Sequence, residues 1–287
     1  MKLIKQAFNV FFFLLFSFAA LHACAQENKD TTTVDSSAAA APSTTFTLAS
    51  LFSSGIDYFG QTTERALPYI ALNGTLRLKS GIYASVTGFH LFSDSAVVSA
   101  TGLTAGYQFT IMPKLTGDVS YAYTVFPKES PFLQASSPHM ASAAFNYEHL
   151  FNTGISADYS FGKQQDFFVS LSNSKECMLN SNRDRYILAT TPQVTVVAGT
   201  QRFYETYLVE RKNSGKGKGT PPGQVKEESR VYDRFGFLSY NFKLPLSYNR
   251  ASYLVEAAYQ LSLLGNNVSE RAGQTNSFFT LGFYYQF

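Results

Sequence analysis

From residue 45 to its end the chain alternates, and the alternation runs too long for most folds to absorb. In the last segment Phe279, Leu281, Phe283, Tyr285 and Phe287 hold one parity, and Phe278, Thr280, Gly282, Tyr284 and Gln286 hold the other. Successive side chains of a strand point to opposite faces, so one face here is continuously apolar and aromatic. Tyr253, Val255, Ala257, Tyr259, Leu261 and Leu263 repeat the pattern against Ser252, Glu256, Gln260 and Ser262. Leu238, Tyr240, Phe242, Leu244 and Leu246 repeat it against Ser239, Asn241 and Lys243. Segments around residues 70–78, 103–111, 119–125 and 155–161 do the same. No stretch after Leu21 sustains the 3.6-residue period of a helix.

A soluble β-sandwich also alternates, so the period leaves two architectures open. Three features favour a closed barrel in a membrane. Many segments run ten or more residues, enough to cross a bilayer at a tilt, whereas sandwich strands average nearer six. The second face is rich in Gly, Ser, Thr and Asn, as a crowded lumen requires. Aromatics recur on the apolar face near segment ends, as in the girdles of membrane barrels. Composition agrees: charged residues make up 15% of the 287-residue chain and aromatics 16%, against a usual charged share of about 25%. The formal net charge of +3 gives no footprint for nucleic acid.

The first 25 residues read as a cleaved secretory signal peptide. Lys2 and Lys5 precede an apolar run from Ala7 to Leu21, then the small-residue site Ala23-Cys24-Ala25. Leu21-His22-Ala23-Cys24 also resembles a lipoprotein box, with His22 a poor fit. Residues 26–44 read as a flexible periplasmic Thr/Ser/Ala linker, and residues 45–287 as the barrel. Cleavage after Ala25 leaves Cys177 as the one cysteine of the mature chain.

Twelve strands are expected, near 46–59, 66–79, 81–92, 97–111, 114–126, 138–150, 154–162, 165–174, 185–208, 232–246, 251–264 and 275–287. The even count requires 185–208 to be one strand interrupted near Pro192. Lys79-Ser80-Gly81, Met112-Pro113-Lys114, Phe151-Asn152-Thr153 and Tyr248-Asn249-Arg250 then fall at periplasmic turns, with 175–184 a long connection on the same side. Residues 127–137, 209–231 and 265–274 fall outside.

The signal peptide, the alternating segments and the ending Ser277-Phe278-Phe279-Thr280-Leu281-Gly282-Phe283-Tyr284-Tyr285-Gln286-Phe287 resemble a Gram-negative outer-membrane β-barrel protein. The Ala-Gln cleavage site is reminiscent of Bacteroidota exports. The resemblance implies an all-β, transmembrane, antiparallel up-and-down barrel in the bacterial outer membrane. It also implies that Phe279, Leu281, Phe283, Tyr285 and Phe287 form the signal read by the barrel-assembly machinery. No plug domain precedes the barrel, which speaks against a TonB-dependent transporter.

Chemistry is sparse. His90, His139 and His149 are far apart, and neither H-E-x-x-H nor a cysteine pair occurs, so no metal site or cofactor is expected. His139 and Ser142 lie three apart and point to opposite faces of a strand, as do His90 and Ser93, so neither makes a local nucleophile–base pair. Taking the polar parity as inward, Arg77, Lys79, Asp118, Glu148, Asp158, Lys243 and Glu256 line a lumen charged in its periplasmic half and neutral above. These charges either close the lumen through salt bridges or line a water-filled constriction. The expected function is a small passive, porin-like channel for ions or solutes, monomeric by default. A closed structural barrel is the alternative, its basic outer loop 209–231 meeting lipopolysaccharide or outer-membrane lipid through Arg211, Lys212, Lys216 and Lys218. A lipid hydrolase or protease is the third.

Overall fold

The computed structural model describes residues 43–61, 66–94, 96–127, 132–182, 186–200, 235–265 and 275–287. The strands are β1 (Thr45–Ser53), β2 (Tyr69–Arg77), β3 (Ile82–Leu91), β4 (Ala100–Met112), β5 (Leu115–Val125), β6 (His139–Glu148) and β7 (Asn152–Phe161). They continue as β8 (Gln165–Ser174), β9 (Cys177–Asn182), β10 (Tyr186–Thr190), β11 (Gln193–Thr200), β12 (Phe235–Arg250), β13 (Tyr253–Leu264) and β14 (Thr275–Gln286). Neighbours pair antiparallel from β1 through β8, then β8 with β11, β11 with β12, and on to β14. β14 returns to β1, with Thr47 opposite Gln286 and Ser53 opposite Thr280. The sheet is therefore a closed ring, which leaves no free edge in its wall.

Twelve strands make that wall, because β8 with β9 and β10 with β11 form the two arms of one long hairpin. β10 and β11 both pair with β12, Thr190 opposite Leu246 and Gln193 opposite Lys243. The break between them falls at Pro192, which has no N–H for a ladder. Pro245 lies beside the gap and takes the Thr190 hydroxyl at 2.6 Å. The hairpin continues past the end of β7, so 177–182, expected as a loop, is strand paired with 186–190.

Both ends of the barrel chain emerge at the rim where the connections are short. That rim is periplasmic by the usual barrel rule. Two expected turns move by a few residues. β12 runs on to Arg250 opposite Tyr253, and Asn152 and Thr153 already pair with Ser174 and Asn173, so those turns fall at 251–252 and 149–151.

The apolar parity faces out. Leu72, Val86, Leu103, Ile155, Leu171, Leu244 and Leu281 are all exposed, a surface that only lipid can cover at low cost. Aromatic rings border it. At the periplasmic rim Tyr186, Tyr248, Tyr253 and Phe283 run ring to ring, with Phe46, Phe287 and Tyr285 beside them. On the other border His139 stacks on Tyr123 and Phe161. One residue departs from its expected face. Leu238 is fully buried because a bulge sets Val197 opposite Ser239 and Ala198 opposite Phe237, leaving Leu238 over. The extra residue turns it inward beside Ser239.

Candidate functional site: the lumen and its inserted loop

The first outer connection does not stay outside. β1 ends at Ser53, and the chain turns into the lumen where the sequence suggested a strand to residue 59. Ser53 and Ser54 make the corner: the Ser53 hydroxyl donates to the Gly55 carbonyl at 2.7 Å, and Ser54 Oγ accepts the Phe279 N–H at 2.9 Å. Tyr58 and Gln61 then exchange two backbone hydrogen bonds of 2.8 and 3.0 Å. Phe59 and Gly60 between them have φ of 53° and 83°, the arrangement of a two-residue hairpin tip. A left-handed Phe costs about 1–2 kcal/mol. Here its ring stacks on Phe168, with centroids 4.0 Å apart and planes 13° apart.

The tip is fastened to the lumen wall on two sides. On β7 and β8, Tyr58 shares a 3.0 Å hydrogen bond with Ser160 Oγ and meets Phe168 edge-on. On β12–β14, Ser239 donates to the Phe59 carbonyl at 2.9 Å and Asn276 to the Gly60 carbonyl at 3.1 Å. Gln260 donates to Asp57 at 2.7 Å, and the Gly60 N–H to the same carboxylate at 2.9 Å. Gly60 lies so close to β12 that a Cβ would press on Ser239 Oγ and Asn241 Oδ1. Beneath β2–β4, Ile56 joins Leu91, Ala100 and Phe132 in a small apolar core, so the root of the loop is anchored as well as its tip. Burial raises the pKa of the Tyr58 phenol, which keeps it a neutral partner for Ser160. Asp57 looks into the lumen; the surrounding wall pushes its carboxyl pKa up, while Gln260, Gly60 and Lys243 pull it down.

Below the loop, Tyr83 touches both an acid and a base. Its hydroxyl donates to Asp118 Oδ1 at 3.0 Å, and the Arg77 guanidinium lies 5.3 Å from its ring centroid. The ring lies over Gly106, where any side chain would displace it. Lys243 and Glu256 form an ion pair at 3.4 Å with side chains 37% and 25% exposed, so both still meet water. Asp158 accepts the Ser156 hydroxyl at 3.3 Å. Lys79 stands apart: it is exposed in the turn after β2 and is not on the lumen wall. Glu148, the last residue of β6, is exposed at the periplasmic rim. The outer half is not neutral as expected, because the loop brings in Asp57 and Asp166 faces inward on β8, holding the Thr200 hydroxyl at 2.7 Å.

Phe279, Leu281, Phe283, Tyr285 and Phe287 are all exposed on the outward face. Arg211, Lys212, Lys216 and Lys218 lie outside the described residues, as do 1–42. The histidines make local contacts: His139 with the Tyr121 hydroxyl at 2.7 Å, His149 with Thr153 Oγ1 at 2.8 Å and His90 with the Ala96 carbonyl at 3.1 Å. Among the described residues no group of three His, Cys, Asp or Glu could hold a metal ion.

No known family model matches the chain, and no curated protein is recognisably similar in sequence. Solved structures resemble it in shape. A KdgM porin aligns with TM-score 0.47 and 9% identity over 85% of this chain and 99% of that one. The COG4313 outer membrane channel from Pseudomonas putida F1 aligns at 0.44 and 12% over 90% and 100%. LpxR from Salmonella typhimurium aligns at 0.44 and 9% over 83% and 99%. The closed ring, the apolar exterior between aromatic borders and the polar interior make this chain a twelve-stranded antiparallel β-barrel of the bacterial outer membrane.

Proposed function

We propose that the barrel is a small passive channel whose bore is narrowed by the inserted loop 54–61. The observation that carries this reading is the hydration of the lumen charges. Lys243 and Glu256 are paired yet keep 37% and 25% of their side-chain surface accessible. A lumen sealed by a dry salt-bridge network would bury its ions fully, at a cost of several kcal/mol each. The charged lower half thus reads as water-filled, and the loop sets the narrowest level above it.

The reading covers passive movement of small ions or solutes, with no catalysis. Single-channel recording in a planar bilayer tests it, with the heat-modifiable gel shift as the folding control. Discrete conductance steps are expected. A folded barrel without steps refutes the channel.

The closed, surface-binding barrel has one observation on its side. Ile56, Leu91, Ala100 and Phe132 pack an apolar core at the outer mouth. In that case deletion of 212–229 abolishes binding to lipopolysaccharide. Assembly through the terminal aromatic signal, and a monomeric state in the membrane, complete the proposal.

A further inference from the structure

We propose that the passage beneath the inserted loop prefers small cations to anions, with Asp158 as its main determinant; this rests on the channel reading above. Among the described residues Arg77 and Lys243 are the inward-facing bases, and each is engaged, Arg77 by an aromatic ring and Lys243 by an acid. Arg77 lies on the Tyr83 ring whose hydroxyl holds Asp118. Lys243 is ion-paired with Glu256. Against these two bases the described lumen presents Asp57, Asp118, Asp158 and Glu256, an excess of acid.

Asp158 is different. It sits on β7 two residues from Ser160, which carries the loop tip through Tyr58. Its carboxylate therefore faces the underside of the loop, and its partner is a neutral hydroxyl, Ser156 Oγ, at 3.3 Å. The side chain is half-buried, so an ion passing the constriction meets it. Asp57 adds a second acid from the loop itself and looks into the same space.

Two carbonyl oxygens are shut into the seat of the loop. Asn241 Oδ1 and Gln61 Oε1 are buried with no hydrogen-bond partner, in residues 9% and 1% exposed. Asn241 Oδ1 points at Gly60. A buried carbonyl oxygen without a donor is unfavourable. It is stabilised by a cation or a donor and repels an anion. These oxygens are sealed from the passage, so the lining that favours cations there is Asp158 with Asp57.

The test is the reversal potential of the exported protein in a planar bilayer under a tenfold KCl gradient. The sign expected is that of potassium preferred over chloride. Asp158→Asn lowers the permeability ratio about thirty-fold, because one unit charge met at ~4 Å in water favours the cation about five-fold and disfavours the anion about five-fold. Asp158→Glu keeps the preference. Both variants retain the heat-modifiable band, since the hydrogen bond of the Asp158 carboxylate stays within β7. An anion preference, or a ratio unchanged in Asp158→Asn, overturns the inference and leaves the channel standing. Absence of any conductance in the wild type overturns the channel, and this inference with it.

Discussion

Replacing Gly60 by Ala is expected to unseat the constriction without opening the barrel. The residue has φ of 83°, where a Cβ costs about 1–2 kcal/mol by itself. The added methyl also meets Ser239 and Asn241 on β12. Relieving that contact means drawing the tip away from the wall, which breaks the Ser239–Phe59 and Asn276–Gly60 hydrogen bonds, each contributing about 1 kcal/mol net. Together the loss is about 3–4 kcal/mol, or several hundredfold in the ratio of seated to released loop at about 1.4 kcal/mol per decade. The ladder of twelve strands is untouched, so the heat-modifiable shift is retained. Single-channel recordings of Gly60→Ala are expected to show a larger and noisier step than the wild type. Gly88→Ala, where a Cβ meets nothing within 4 Å, serves as the control and keeps the wild-type step. A wild-type step in Gly60→Ala refutes the idea that the tip sets the bore.

Three further outcomes follow from the same geometry. Phe168→Ala removes a side chain 1% exposed that bears both Tyr58 and Phe59, and is expected to cost about 3–5 kcal/mol, read as a lower urea midpoint in detergent together with an enlarged conductance step. Leu244→Arg places a charge on the lipid face of β12, where Leu244 is 57% exposed; it should reduce folding stability by about 2–4 kcal/mol in lipid vesicles while leaving ion selectivity unchanged. Deleting Phe287, whose ring packs on Phe46 and Tyr285 at the β1–β14 closure, is expected to lower the yield of folded protein in the outer membrane, with yield measured by surface protease protection; undiminished yield would remove this ring from the closure.

Most of the wall is legible in the sequence because it is written in local alternation. Phe279 through Phe287 need only period two to be placed on the lipid face, and Pro192 marks the interruption of its strand without any knowledge of Pro245 beside it. Leu238 escapes the same rule, since the bulge that turns it inward is set by register between β11 and β12. The inserted loop is harder. Leu51 to Phe59 still looks like a strand, with polar and apolar residues mixed, although Ser53-Ser54-Gly55 and Gly60 are signals of a corner and a tip. What sends the segment inward is its partners, and Ser160, Ser239, Gln260 and Asn276 lie 102 to 216 positions away. The placement of Asp57 in the lumen follows from that and from nothing near it in the chain. Lys79 fails for a smaller reason: β2 ends two residues earlier than its alternation suggests, and the lysine falls into the turn.

The distance between the loop and its seat also sets an order of events. Residues 54–61 belong to the first hairpin, yet Phe59, Gly60 and Asp57 are held by β12, β14 and β13, the last strands of the chain. Until those strands are in place the loop has half a binding site. The tip is therefore only half-fastened, by β7 and β8, while the last strands are being added, and its seat is complete only with β12 to β14 in place. A seated loop certifies a finished ring, and a barrel whose last strands are missing or misregistered leaks.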